Sequence, residues 1–366
     1  MRLYKYYRPD FYFEKSLRYD EIFFASNEQL NDPHDLVIKP YFGNNKEAWK
    51  SILKSNAPFD TWCLSKIVDI DNDNLTRELN DEFEGVVVDD SSSISSVLDN
   101  QSASLAQIFE KYLTPQCNAM FKKPEAASAA CVQFLKEKLA RGWDKRYYSC
   151  SFSKNPLEPQ MWAHYGGGFR GCVLIYRGLS DGSINLRNNI YISDSQNFKF
   201  ADVNYQDKDK LVDILDLNSR VNIIEQNLLN KSSFWSHEKE MRLLLSESFG
   251  SIRVSIASGM PKSTKTQIFH HAPDAIEGVI FGSNCSESYK EKITSMLAEK
   301  YSFLLPAGVP AFLTFDSRLT SQGKVEINYG AKCIIREVRS SQVIKEILEN
   351  ERLNTMLKEL GIPQFN

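Results

Sequence analysis

The stretch "FWSHEKEMRLLL", residues 234 to 245, sets two carboxylates, Glu238 and Glu240, one residue apart in front of an apolar run. Residues two apart point the same way in an extended chain and lie on nearly opposite sides of a helix. Read as a strand, the segment puts Glu238, Glu240 and Arg242 on one face and Met241, Leu243 and Leu245 on the other. Two carboxylates then converge on one spot. Like charges repel, so such a pair is kept where a cation, a proton or a substrate group compensates it, which makes it a candidate for catalysis or ligand binding. The plainer alternative is that Lys239 and Arg242 neutralise the pair on a solvated edge.

Three other stretches carry chemistry-bearing residues. "SFSKNPLEPQMWAHYGGGFRGCVLIY" gathers Trp162, His164 and Tyr165 before Gly166, Gly167 and Gly168. These rings suit stacking on a planar ligand and hydrogen bonding to it, or filling the interior with their polar tips satisfied. The glycines permit close backbone approach or a tight connection, and without a following Gly-Lys-Ser/Thr they form no P-loop. "NDPHD" places Asp32, His34 and Asp35 within four residues, a set a divalent metal accepts, although Asn-Asp-Pro is first a turn signal. "HHAPD" at 270 to 274 has metal-capable types but no metal-site spacing and reads as a loop.

The elements that must position these groups follow from periodicity. Strands are expected at "RLYKYY", "EIFFAS", "RYYSCSFSKN", "GCVLIYRG", "NIYISD", "ADVNYQ", "MRLLLSE", "SIRVSIA", "EGVIFGS" and "PAFLTFD". Helices are expected near 45–55, 102–113, 124–141, 209–229, 286–299 and 340–360, the last with an apolar stripe ending at Leu360 before Gly361 and Pro363. Residues 60 to 100 hold eleven Asp and Glu against two Lys and Arg, with the cluster "DDSSSISS", and read as a surface excursion. Strands and helices neither alternate strictly nor segregate, which predicts one α+β domain over 1–366 with a helical, partly acidic insertion at 45–141.

With 366 residues the chain can bury a substantial core, and its net charge of −3 argues against a broad nucleic-acid-binding surface. Seven cysteines without a CxxC pair suggest reduced thiols rather than a disulfide frame or zinc site. No apolar run approaches the ~18 residues of a membrane span, so a cytoplasmic protein with no membrane partner is expected.

"LYKYY", "ASNEQLNDPHD", "MWAHYGGGFRGCVLIY" and "FWSHEKEMRLL" together resemble a bacterial family labelled as a domain of unknown function, DUF2971, over about residues 3 to 245. A second resemblance names a chemistry. "RLYKY", "YSCSFS" and "HEKEMRL" occur in the order used by toxin-type ADP-ribosyltransferases, which place a polar or basic residue on the first strand, Ser-x-Ser/Thr or a tyrosine on a middle strand and a glutamate, often as Glu-x-Glu, at the lip of a late strand. That resemblance implies an α+β fold with a mixed, mainly antiparallel β core and an NAD-cleaving enzyme, as a toxin or phage-defence effector, with NAD as substrate and an acceptor that is protein, nucleic acid, small molecule or water. It further implies that Glu240 stabilises the cationic ribose through the 2′-hydroxyl and that Glu238 orients or deprotonates the acceptor. Ser149, Ser151 or Ser153 would position ribose and glutamate. Tyr165 or Trp162 would stack on nicotinamide with His164 beside them, and Arg2 or Lys5 would hold pyrophosphate or ribose. Two other classes remain open: a non-catalytic binding module, and a metal-dependent nuclease using Asp32, Asp35, Glu238 and Glu240.

Overall fold

The computed structural model describes the chain except residues 56–63, 89–92, 141–142, 144–146, 189–193, 208–209, 217–219, 247–266, 303–311, 329–331, 334–350 and 363–366. Its framework is a ten-stranded sheet in which the strands Val325–Ile327, Leu313–Leu319, Ile276–Phe281, Cys172–Arg177, Arg2–Tyr7, Tyr147–Ser153, Glu240–Ser246 and Ala201–Asp202 lie side by side in that order. Every neighbouring pair along this row is antiparallel except Ile276–Phe281 with Leu313–Leu319, so the fold is α+β with a mixed, mainly antiparallel sheet. A four-stranded sheet, formed by Glu21–Phe23, Ile268–His271, Ser183–Arg187 and Gln196–Lys199, packs against it.

Cys172–Arg177 is apolar on both faces because both are covered. Cys172, Leu174 and Tyr176 share a core with Phe13 and Leu17 of the Phe11–Tyr19 helix and with Ile293 and Leu297 of the Glu287–Ser302 helix. Val173 and Ile175 meet Tyr4, Tyr6, Trp162 and the Glu351–Glu359 helix, whose Leu353, Met356 and Leu357 form the apolar stripe read from the sequence. Val343 to Leu348, the earlier part of that stripe, lie outside the described residues, as do "SIRVSIA" and most of "NIYISD".

The described part of residues 60–100 is not the surface excursion expected from its charge. Within them Leu75, Leu79 and Phe83 recur every four residues along the Asp73–Phe83 helix and are buried in a core shared with the helices Lys46–Lys54, Ser102–Lys111 and Pro124–Ala140. The acidic residues counted against a core, among them Glu78, Asp81 and Glu82, sit on the outer face of that helix; charge density overrode a valid 3.6-residue period. The expected helix over 209–229 is shorter too. Leu211–Asp213 instead pairs as a parallel strand with Lys39–Tyr41, and the helix is Arg220–Leu228. "HHAPD" is likewise no plain loop, since His270 and His271 end a strand.

Candidate functional site

One geometric irregularity in the sheet makes the site. The first strand, Arg2–Tyr7, pairs with Cys172–Arg177 over its whole length but with the serine strand, Tyr147–Ser153, only at Tyr4 opposite Ser153. Beyond that point the two strands part. The Lys5 ammonium spans the gap, donating to the Ser151 carbonyl at 2.8 Å. A cavity of about 840 Å³ opens there, lined by Lys5, Tyr7 and Arg8 from the first strand and its continuation, by Ser149, Ser151 and Ser153 from the serine strand, and by Tyr165, Glu238 and Glu240.

Strand register explains which side chains reach it. Glu240 stands opposite Ser153 and Arg242 opposite Ser151, and residues directly opposite point to the same face. Glu240, Arg242 and the three serines therefore share one face, while Met241 and Leu243 go with Phe152 and Cys150 into the core behind. Glu238 arrives differently from the expected extended run, because it ends a 3-10 turn, Ser233–Glu238. Lys239 follows with φ +44, a left-handed conformation that turns the chain so that both carboxylates meet one cation. A β-branched side chain suits this conformation worse than lysine, and Lys239 is exposed. Lys239→Val is accordingly expected to lower unfolding free energy by about 1 kcal/mol in a urea titration; no loss would mean that the strained turn is not needed.

The compensation for the carboxylate pair comes from within. Lys231 Nζ lies 2.6 Å from Glu238 Oε2 and 3.1 Å from Glu240 Oε2. Arg242 bridges Glu240, through Nε to Oε1 at 2.6 Å and Nη2 to Oε2 at 3.0 Å, and Asp35, through Nη1 to Oδ1 at 2.7 Å and Nη2 to Oδ2 at 2.5 Å. Tyr165 donates to Glu238 Oε1 at 2.6 Å and the Ser153 hydroxyl to the Glu238 carbonyl at 2.7 Å. The Glu240 amide donates to the Tyr205 hydroxyl at 2.7 Å. Glu238 and Glu240 are only 3 % and 4 % exposed, and Arg242 1 %. The solvated edge considered above is thus replaced by a buried network. Lys239 points to solvent and leaves the task to Lys231, a residue no sequence signal marked.

Burial and position divide the pair. Burial raises the Glu238 carboxyl above its usual 4.5, with the Glu240 charge adding to the rise and Lys231 opposing it. For Glu240 burial acts the same way, yet Arg242 and Lys231 outweigh it and hold this carboxyl below the ordinary range. Two neighbouring carboxylates pushed in opposite directions are the arrangement in which one takes up a proton while the other stays charged.

Of the other residues singled out, Lys5, Ser149, Ser151, Ser153 and Tyr165 line the cavity. The Ser149 hydroxyl is buried there with no hydrogen-bond partner, an unmet donor that a ligand can satisfy. Arg2, Trp162 and His164 lie off the cavity. Arg2 pairs with Glu277 at 2.6 Å and Glu359 at 3.0 Å. Trp162 is fully buried between Tyr6 and Phe169 and donates its indole N–H to the Pro156 carbonyl at 2.9 Å. His164 is exposed at the end of the Pro159–His164 helix, its carbonyl accepting from Arg8. The glycines serve the connection: Gly167 and Gly168 have φ of +61 and +67, and a side chain at Gly171 would run into the Tyr7 carbonyl. They return the chain to the sheet so tightly that Tyr165 is left facing Glu238.

The "NDPHD" segment divides its residues. Asp32 accepts from the His34 amide at 2.9 Å, as a turn residue does, whereas Asp35 is buried against Arg242. Among the described residues no three His, Cys, Asp or Glu side chains are grouped to hold a metal ion. Asp35, Glu238 and Glu240 instead spend their oxygens on lysine and arginine. Among the described residues, no helix is long and apolar enough to cross a membrane.

Residues 161–243 match the model of a family described as protein of unknown function, DUF2971. The match spans the glycine turn, Tyr165, Lys231 and both carboxylates; the two N-terminal stretches that share the resemblance fall outside it. Comparison with curated proteins and with solved structures found no match.

Proposed function

We propose that the cleft between the first strand and the serine strand binds NAD and that the enzyme breaks its nicotinamide–ribose bond, passing ADP-ribose to an acceptor, as toxin-type ADP-ribosyltransferases do. The observation that carries this reading is the place of the carboxylate pair: Glu240 and Glu238 line a cavity that is also lined by the "RLYKYY" and "YSCSFS" strands where these separate, with "EMRLLLS" next in the sheet. Its volume of about 840 Å³ is within the range of pockets that take cofactor-sized ligands.

The chemistry fits the electrostatics. As the bond to nicotinamide breaks, positive charge grows on the ribose, and a fixed carboxylate stabilises that state more than the neutral sugar. Glu240, kept charged by Arg242 and Lys231, suits this role; Glu238, with its raised affinity for protons, suits the base that takes a proton from the acceptor. Lys5 and Arg8 line the cavity and can meet phosphate charge, Ser149 and Ser151 offer hydroxyls to the ribose, and Tyr165 offers a ring near the carboxylates. The test is release of free nicotinamide from NAD, followed by chromatography with and without a chelator. Release indifferent to the chelator supports the proposal. A rise in melting temperature with NAD but no release favours a binding module, and activity on nucleic acid lost to the chelator favours a nuclease.

A base with a raised pKa also sets the pH profile. Glu238 must be ionised to accept a proton, so kcat is expected to rise with pH along a limb whose midpoint lies above 4.5. Glu238→Gln should remove that limb. A limb unchanged in the variant assigns the base elsewhere.

A further inference from the structure

Resting on the NAD reading, we infer that the Ser149 hydroxyl binds the ribose of the adenosine half, so that the substrate lies along the serine strand with its phosphates beside Lys5. The three serines on the cavity face differ in what their hydroxyls already do. Ser153 donates to the Glu238 carbonyl at 2.7 Å and accepts from the Asn155 amide at 3.0 Å, which makes it part of the frame around the carboxylates. The Ser151 hydroxyl donates to the Glu240 carboxylate. Ser149 is 1 % exposed, and its hydroxyl has no partner among the described residues. A buried hydroxyl without a partner forfeits the hydrogen bonds it made in water, and in a cavity wall a ligand that restores them accounts for it.

Position along the strand says which part of the ligand that is. Ser153 is opposite Glu240, and Ser149 is four residues further on, about 13 Å away along the strand. Between them the Lys5 ammonium is fixed on the Ser151 carbonyl at 2.8 Å, with the Phe152 ring 5.1 Å away and no carboxylate bonded to it among the described residues. The strand's neighbour changes over the same interval: Tyr4 of the first strand is opposite Ser153, whereas Ala25, in the short strand Ala25–Ser26, is opposite Ser149. On its other side Ser149 has Leu244, so the residues directly beside it bring no charge. From Ser153 to Ser149 the wall therefore presents two carboxylates, an ammonium and an uncharged hydroxyl. NAD carries the complementary groups in that order: a cationic nicotinamide riboside, two phosphates and an uncharged adenosine. A ribose whose 2′-hydroxyl is at Glu240 lies against Ser151 and Ser153, which leaves Ser149, past the ammonium, to the ribose beyond the phosphates. A serine hydroxyl can both donate and accept, as pairing with a ribose hydroxyl requires.

The experiment measures KM and kcat for nicotinamide release by wild type and by Ser149→Ala, on NAD and on NAD analogues lacking the 2′- or the 3′-hydroxyl of the adenosine ribose. The expected result is a KM for NAD raised about 5-fold in the variant, the size of one uncharged hydrogen bond, with kcat unchanged. An unchanged kcat also shows that the variant is folded. On wild type one of the analogues should raise KM by a similar factor, and on Ser149→Ala the same analogue should raise it no further, because the partner of the missing hydroxyl is already gone. A fall in kcat at unchanged KM would put Ser149 at the reacting ribose, and analogue losses of equal size in both proteins would put it elsewhere on the substrate. Either overturns the inference and leaves NAD cleavage standing, as does a KM for NAD that the variant leaves unchanged. No nicotinamide released from NAD by wild type overturns the NAD reading and this inference with it.

Discussion

Glu240→Gln is expected to lower nicotinamide release from NAD by about 10³-fold, a loss of ~4 kcal/mol in transition-state stabilisation, while the protein stays folded. The size follows from what the substitution removes. Glutamine keeps the shape and can still accept from Arg242, but it has no charge to set against a cationic ribose. The expectation of a folded variant follows from the network: three buried carboxylates, Asp35, Glu238 and Glu240, are bonded to two cations, Lys231 and Arg242. Neutralising Glu240 leaves Asp35 with Arg242 and Glu238 with Lys231, two matched pairs, so no charge is orphaned. Thermal melting and the far-ultraviolet spectrum check the fold, and chromatography of nicotinamide checks the rate. A folded variant with unimpaired release would remove Glu240 from the chemistry.

The sequence made the carboxylate pair conspicuous, and the reason is local. Charge beside an apolar alternation is a short-range pattern, and the side of Met241 and Leu243 follows from a period of two. What brings Glu238 to the same point is a left-handed Lys239, and no residue type announces that conformation when it is not glycine. Partners were less legible still. Lys231 is seven residues upstream of Glu238 and Asp35 more than two hundred upstream of Arg242, and neither separation leaves a trace in local periodicity. The strands flanking the cleft were readable one by one, but the splay that opens it is a property of their pairing, visible only when Tyr4 meets Ser153 and the next residues do not. Trp162 illustrates the reverse limit. A tryptophan beside glycines suits a ligand platform and a core equally in sequence, and the Pro156 carbonyl that satisfies its indole settles its position in the core.

Arg242→Met should have the largest effect on stability, and one whose dependence on pH runs opposite to the contribution of Glu240 in the wild type. Arg242 is 1 % exposed and supplies four hydrogen bonds to Glu240 and Asp35 and one to the Leu228 carbonyl at 2.8 Å. Methionine fills much of its volume but leaves three buried carboxylates to the single ammonium of Lys231. Breaking a buried pair from one side costs about 3–5 kcal/mol, because the stranded charge is neither solvated nor matched. In the wild type the folded Glu240 carboxyl titrates below its unfolded value of 4.5, so its contribution to stability is present above that pH and fades as pH falls. Without Arg242, burial and the Glu238 charge raise the folded value above the unfolded one. The protonated form is then favoured in the folded state; its advantage is complete below pH 4.5 and disappears as pH rises through the raised value. Urea unfolding at several pH values between 4.5 and neutrality should therefore show the variant's deficit widening with pH. A deficit below ~1 kcal/mol at neutral pH, or one that does not change with pH, would mean that the cluster is held by shape rather than by charge, and that the ionisation of Glu240 does not depend on Arg242.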